Sequence, residues 1–459
     1  MEITKEIYQA HEKLSASSAG FLDFVKNNPE SLKRSNFSDL STGDPLLTLQ
    51  PWPTFIAGKT IEEFREAGVK VCNLIKSVPQ RFFSNSPGRI GRYYEMPPQM
   101  ADTLLKGVES EHINNLLGRG DFIYSSAGLK CLEYNISGNV GGWEVDMWED
   151  LYLKNPIISH FLQHHAEPEG KPDKNTILAI LFKHLTDTAL AKFPGIGDSL
   201  KIVLVVPLVN SDDNSKFLLS RLNKMIAQTT QMPVSLCSYH DLKIVNNRVY
   251  HRGERVHILV EQCGGIVPPD FVKTVRTGNV IIYNGSITGL MSNKFNLAVL
   301  SENLDSDVFS GGERETIGKY IPWTRKVVPG KTTYAGKPID LAPFMYSQRE
   351  RLIIKPAVGF GGKSVYVGKY MTQSRWQEVV NTSFKNKRWL VQEYVESLPF
   401  LYQSGENGCV PHHAVWGFFI FGSTYAGAWL RVLPREGNSG VINSHQGAEE
   451  SVVLEMQSR

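Results

Sequence analysis

The sequence predicts a mixed α/β protein of the α+β kind, built from several units, on three observations. Short strand patterns close on glycine turns near residue 120 and again beyond residue 350. Between them lies the continuous apolar run Ile202 to Leu208, which suits a strand covered on both faces. Ahead of both, residues 1–95 show apolar residues at helical spacing.

Taken in order, residues 1–95 read as a polar, mostly helical segment broken at Pro29, Pro45, Pro51 and Pro53. Within it Ile61, Phe64, Val69, Val71 and Leu74 mark a helix over Lys59 to Ile75. Residues 96–170 form a second unit. A helix runs from Pro98 to Leu117 and ends at Gly118, a residue type suited to a helix C-cap. A hairpin follows, with strands Asp121 to Tyr124 and Lys130 to Asn135 around a turn at Ser125 to Gly128. Residues 175–300 alternate strand and helix: a strand at Ile202, a helix over Phe217 to Ala227, then strands at Val234 to Ser238, Val256 to Val260 and Val280 to Tyr283. That order predicts a small parallel, Rossmann-like α/β domain. Residues 310–459 carry strands near Leu352 to Ile354, Ser364 to Val367, Leu390 to Val395, Ala414 to Phe421 and Tyr425 to Val432, which predicts antiparallel pairing.

At 459 residues the chain has the length of about three domains. It is 41% hydrophobic and 21% charged, with a formal net charge of +3, so charge gives no reason to expect a nucleic-acid partner. Cys72, Cys131, Cys237, Cys263 and Cys409 are scattered, odd in number and form no CxxC pair. Reduced thiols in the cytoplasm fit that pattern better than a disulfide framework or a zinc site. The N-terminal residues lack the apolar core of a signal peptide, and no apolar run approaches the ~20 residues that cross a bilayer, so no membrane partner is expected. His164–His165 and His412–His413 are adjacent pairs; strand neighbours point to opposite faces, so neither predicts a metal site.

The strongest feature is an apolar strand ending in Lys355, a loop holding Gly359, Gly361 and Gly362, and a second strand. Glycines let backbone N–H groups approach a phosphate, and a lysine at the strand end adds point charge. A strand rather than a helix follows, so this is not a Walker A loop. A glycine-rich hairpin turn with a surface lysine is the plainer alternative. Some thirty residues on, the strand through Gln392, Glu393, Tyr394 and Val395 could read an adenine edge with its backbone; an edge strand with solvated acids fits equally. In the early hairpin, Glu133 and Asn135 lie two apart on one strand and share a face. With Asp121 on the partner strand they make a hard-oxygen set of the kind Mg²⁺ prefers. Arg119 lies two residues before Asp121 and can face the same side, where it could stabilise a transferring phosphoryl group. A polar outer face on an amphipathic hairpin is the competing reading.

Together these motifs resemble the ATP-grasp superfamily. The Glu133-x-Asn135 motif comes before the lysines, an order similar to the circularly permuted branch typified by glutathionylspermidine synthase. Arg119-Gly-Asp121 ahead of the hairpin and Met291-Ser-Asn-Lys294 between hairpin and glycine loop match that branch. The resemblance spans most of residues 96–459 as sparse motifs. It implies an ATP-grasp fold in permuted order and an ADP-forming ligase that joins a small-molecule or peptide carboxylate to an amine through an acyl phosphate. It also implies ATP contacts from Lys294, Lys355, the glycine loop and the Gln392 to Val395 hinge, and Mg²⁺ on Asp121, Glu133 and Asn135. Arg119 would stabilise the acyl phosphate, and Arg431, in Trp429-Leu-Arg431, would reach the γ-phosphate; Asn443 is a further candidate. A phosphotransferase on the same scaffold and a non-catalytic nucleotide-binding module stay open. A dinucleotide enzyme built on residues 202–238 lacks the GxGxxG it needs after Val206.

Overall fold

The computed structural model describes residues 3–28, 48–108, 110–138, 140–142, 145–165, 169–173, 177–207, 227, 234–359, 361–405, 408–437 and 439–457. All but the last residue of the helix expected over Phe217 to Ala227 lie outside the described residues, as does Trp143, an aromatic that from sequence could line a pocket or fill the core.

Its largest sheet has eight strands. The path runs from Thr54–Ala57 through Glu449–Gln457, Thr424–Pro434, Gly408–Phe421 and Leu117–Ser125 to Gly128–Asn135. Phe400–Ser404 and Lys171–Pro172 pair off this path. Only Thr54–Ala57 joins its neighbour in parallel among these pairs. The early hairpin and the last strands of the chain are therefore one surface. The helix Gly58–Phe83 lies across that sheet. Its stripe Ile61, Phe64, Ala67, Val71, Leu74 and Val78 is buried, at the three-and-four spacing of an amphipathic helix. Phe64 stacks on Phe418 with ring centroids 4.4 Å apart. Each large apolar side chain buried this way contributes about 1.5–3 kcal/mol. A Cβ at Gly68 would stand 2.8 Å from Ile420 Cδ1, so that helix turn rests directly on the strand.

The helix expected over Pro98 to Leu117 stops at Lys106, and a strand already begins at Leu117. The Asn284 side chain explains the change: its Oδ1 accepts from Leu117 N at 2.9 Å and its Nδ2 donates to Leu117 O at 2.6 Å, which holds the chain extended. Gly118 is thus a strand residue. With Gly120 it lies under the Tyr134 ring, where a Cβ at 120 would come within 2.5 Å of Tyr134 Cε2. The alternation Gly118-Arg119-Gly120-Asp121 sends glycines toward Tyr134 and charged side chains to the opposite face.

The hairpin also carries a bulge. Asp121 pairs with Glu133 and Phe122 with Cys131, leaving Leu132 as the extra residue. Leu132 is therefore half-buried rather than part of the core face, which Leu129, Cys131, Tyr134 and Ile136 form.

The middle of the chain forms the expected parallel sheet, ordered Ile281–Tyr283, Ile258–Glu261, Ile202–Val205 and Val234–Cys237. The strand expected over Val256 to Val260 is interrupted at His257. A third sheet is antiparallel and contains Thr324–Lys326, Trp389–Glu393, Leu352–Pro356 and Tyr366–Val367. Trp376 on the helix Gln373–Lys385 packs into its core with Leu352, Ile354 and Val391. All five cysteines are free thiols. Among the described residues no helix is long and apolar enough to cross a membrane.

Candidate active site

The polar face of the hairpin is a charge cluster. Arg119 and Asp121 share that face with Glu133 and Asn135, because Arg119 pairs with Asn135 across the ladder and Asp121 with Glu133. Arg119 donates to Asp121 through Nε (2.8 Å) and Nη2 (3.1 Å), and its Nη1 donates to the Gly141 carbonyl. Arg431, two strands away, brings its Nη2 to 2.9 Å from Asp121 Oδ2. Both oxygens of Asp121 thus face guanidinium groups. Glu133 is placed differently. Its Oε1 accepts from Asn135 Nδ2 at 3.3 Å and its Oε2 pairs with Lys294 Nζ at 3.2 Å, while 30% of its side chain remains open.

Lys294 and Lys355 close the cluster from the other side. Lys294 begins the helix Phe295–Glu302; its Nζ donates to Gly359 O at 3.0 Å and its backbone N to Ala357 O at 2.9 Å. Lys355 leaves the strand Leu352–Pro356 and donates to Leu132 O (2.6 Å) and to Gln392 Oε1 (2.9 Å). The Leu132 bulge therefore supplies the carbonyl that receives the lysine from the third sheet. Burial pushes the Lys355 ammonium down from 10.5 to about 8, against the opposing pull of Glu133. Burial acts to raise the Glu133 carboxyl, but Lys294 and Lys355 outweigh it and hold it down at about 2. Four cations, Arg119, Arg431, Lys294 and Lys355, thus face two carboxylates, an excess of positive charge that suits a polyphosphate.

The glycine loop runs beside this cluster. Gly361 (φ +66°) and Gly362 (φ +69°) take left-handed conformations that a side chain disfavours. They pack against the segment 439–447: a Cβ at Gly362 would stand 2.6 Å from Val441 Cγ1, and one at Gly361 3.2 Å from His445 Cδ2. Asn443 caps a short turn there by accepting from His445 N at 3.0 Å. The expected adenine hinge has a mixed character. The Gln392 side chain is fully buried and bridges Lys355 to Thr324 Oγ1 (3.0 Å). Glu393 Oε1 accepts from Tyr334 OH at 2.9 Å. The N–H groups of Glu393 and Tyr394 are taken by Trp323 O and Arg351 O, each at 2.8 Å.

The overall fold is similar to that of a glutathione synthetase-like effector from Globodera pallida. The two share a TM-score of 0.55 at 12% sequence identity, over 89% of this chain and 90% of the effector. A candidate gamma-glutamylcysteine synthetase from Methylobacillus flagellatus KT aligns at a TM-score of 0.42 and 11% identity, over 83% of this chain and 88% of that one, a similarity too low to bear on this chain. No family model and no curated protein matches the sequence. What the chain shares with the effector is fold, across nearly the whole length of both.

From sequence, Trp429 is one of several aromatics that could line a pocket or fill the core; what the sequence did not show is that its indole lies at the centre of the arginine face. Trp429 lies beside Gly417, which pairs with Asp121 on its other side. Its Nε1 donates to the buried Glu450 Oε2 at 2.8 Å. The spacing Trp429-x-Arg431 on one strand already places both side chains on one face and was the available signal. A wide groove of about 1300 Å³ between the N-terminal helices and the helix Gly58–Phe83 shares no residue with the cluster. Of the histidine pairs, His164 ends a helix with His165 capping it, both exposed, so the strand argument does not reach that pair; His412 and His413 are buried in a strand.

Proposed function

We propose that this protein is an ATP-dependent carboxylate–amine ligase of the ATP-grasp type, with the motif order circularly permuted. One observation carries the reading. An early hairpin and a late glycine loop meet in one buried cluster, where Lys294 bonds to both Glu133 and Gly359 and Lys355 bonds to Leu132. The fold likeness to a glutathione synthetase-like effector supports it.

In this reading Lys294, Lys355 and the glycines at 359, 361 and 362 receive the ATP phosphates, and the strand ending at Gln392 to Val395 borders the adenine. Glu133 is ionised, partly open and adjacent to Asn135, so the pair has the hard-oxygen chemistry that Mg²⁺ takes while sharing its other positions with water and phosphate. Asp121, which the resemblance also gives to Mg²⁺, has both oxygens on guanidiniums, so in this reading it serves that face by orienting Arg119 and Arg431. When bound, Mg²⁺ supplies charge neutralisation to the polyphosphate. Arg119 and Arg431 then stabilise negative charge on the phosphoryl group as the substrate carboxylate attacks it, and on the oxyanion as an amine displaces phosphate from the acyl phosphate. No nucleophilic side chain is required.

The test is ATP turnover measured against a panel of amino acids, short peptides and polyamines, with mass spectrometry of the products. An amide product with one ADP and one phosphate per bond supports the ligase. A stable phosphorylated product assigns a phosphotransferase instead, and the absence of Mg·ATP binding removes both.

A further inference from the structure

Trp429 is held in a place built for it. Its indole lies under two guanidinium groups: Arg431 Cζ stands 4.3 Å and Arg119 Cζ 4.7 Å from the ring centroid. A guanidinium over an indole face is attracted by the ring quadrupole, most strongly where water is excluded. Two glycines leave the space. A Cβ at Gly417 would come within 2.9 Å of Arg119 Cδ and 3.3 Å of Trp429 Cε3, so only glycine lets Arg119 lean across that strand onto the ring. Gly142 (φ +102°) would bring a Cβ to 2.4 Å from Trp429 Cδ2. Glu450 pins the ring edge, accepting from Trp429 Nε1 at 2.8 Å and from Ser444 Oγ at 2.9 Å. Arg431 itself is 4% exposed; its Nη2 pairs with Asp121 at 2.9 Å, while its buried Nε has no hydrogen-bond partner among the described residues. The buried Nε, with no protein partner, leaves a donor for a ligand.

We propose that Trp429 is a positioning residue: it fixes Arg119 and Arg431 as one preorganised receptor for a tetrahedral, phosphate-like anion. This rests on the ligase reading for the origin of that anion, the phosphoryl group that leaves ATP. The indole contributes by orientation. It holds two flexible cationic side chains at fixed positions beside Asp121, so the receptor needs little reorganisation when the anion arrives.

Inorganic phosphate, titrated by calorimetry into protein saturated with Mg·ADP, is the probe. Trp429→Leu is expected to weaken phosphate at least tenfold, with Mg·ADP affinity within twofold of wild type. Trp429→Phe, which keeps an aromatic face, is expected to recover most of the loss. Trp429→Leu on an Arg431→Met background is expected to cost less than it does alone, because the tryptophan acts in part through that arginine. Unchanged phosphate affinity in Trp429→Leu, or full additivity in the double variant, overturns the proposal. Should Trp429→Leu fail to fold, tryptophan emission decides: phosphate is expected to change it in wild type and not in Trp429→Phe, and an equal change in both overturns the proposal. Loss of Mg·ADP binding in the wild type would instead remove the ligase reading, and phosphate titrated alone would still decide on Trp429.

Discussion

Replacing Lys355 with methionine separates the cost of the site from its use. Burial lowers this ammonium from 10.5 to about 8, which at neutral pH is a penalty of about 3 kcal/mol carried by the folded protein. Methionine keeps the length of the side chain and removes that penalty, but it strands Leu132 O and Gln392 Oε1, at about 1–3 kcal/mol each. The terms nearly offset, so the thermal midpoint is expected to stay within about 5 °C of wild type. Nucleotide binding behaves differently. A phosphate oxygen about 4 Å from the ammonium gains about 4 kcal/mol at an effective dielectric of about 20, so Mg·ATP affinity is expected to fall by at least about a hundredfold. Protons supply a second readout. At pH 8 a group titrating at about 8 is about half protonated, and phosphates complete its protonation, so binding takes up about half a proton at pH 8 and almost none near pH 6.5. Calorimetry in two buffers of different ionisation enthalpy measures this uptake. Mg·ATP affinity within about threefold of wild type, or the same uptake in Lys355→Met, would refute the assignment of Lys355 to the phosphates.

Three further outcomes are expected. Glu133→Gln keeps the shape but removes the charge that pairs with Lys294; ATP turnover should drop by at least about a hundredfold and Mg²⁺ dependence should shift to higher concentration, as read by turnover across a magnesium series. Gly362→Ala forces a side chain onto φ +69° and to 2.6 Å from Val441 Cγ1, costing about 1–2 kcal/mol and weakening nucleotide binding more than it lowers the thermal midpoint; equal nucleotide affinity would count against the loop's role. Acid should destabilise the fold. Burial holds His11 at about 3 and His412 and His413 at about 4, so all three stay neutral while their unfolded counterparts gain protons below about 6.5. Their stability contribution is complete above that pH and is lost as pH falls toward 4, by about 1 kcal/mol per pH unit for His11. Glu149, raised to about 7 mainly by burial, opposes the trend, as do Glu261, Glu302 and Glu455, which burial also raises. Urea unfolding from pH 7 to 4 tests this, and a flat profile would contradict it.

Residue type and spacing were enough to mark the parallel sheet, the hairpin bearing Glu133 and Asn135, and the strand–glycine–strand element at Lys355. Each rests on a local period or a local turn, and local periods survive in one dimension. The strands Phe400–Ser404 and Glu449–Gln457 escaped that reading, because their pairing with partners elsewhere in the chain decides them. The same holds for Leu117, where Asn284, 167 residues away, replaced an expected helix with a strand. Inside the site, the sequence named the charged residues but not their partners. Tertiary structure assigned Asp121 to two arginines, Gln392 to Lys355, the bulged Leu132 carbonyl to the same lysine, and Trp429 to both guanidiniums. Side-chain chemistry is carried by composition and order; which charge meets which at 3 Å depends on sheet register and on burial, and both come into being only when distant segments pack.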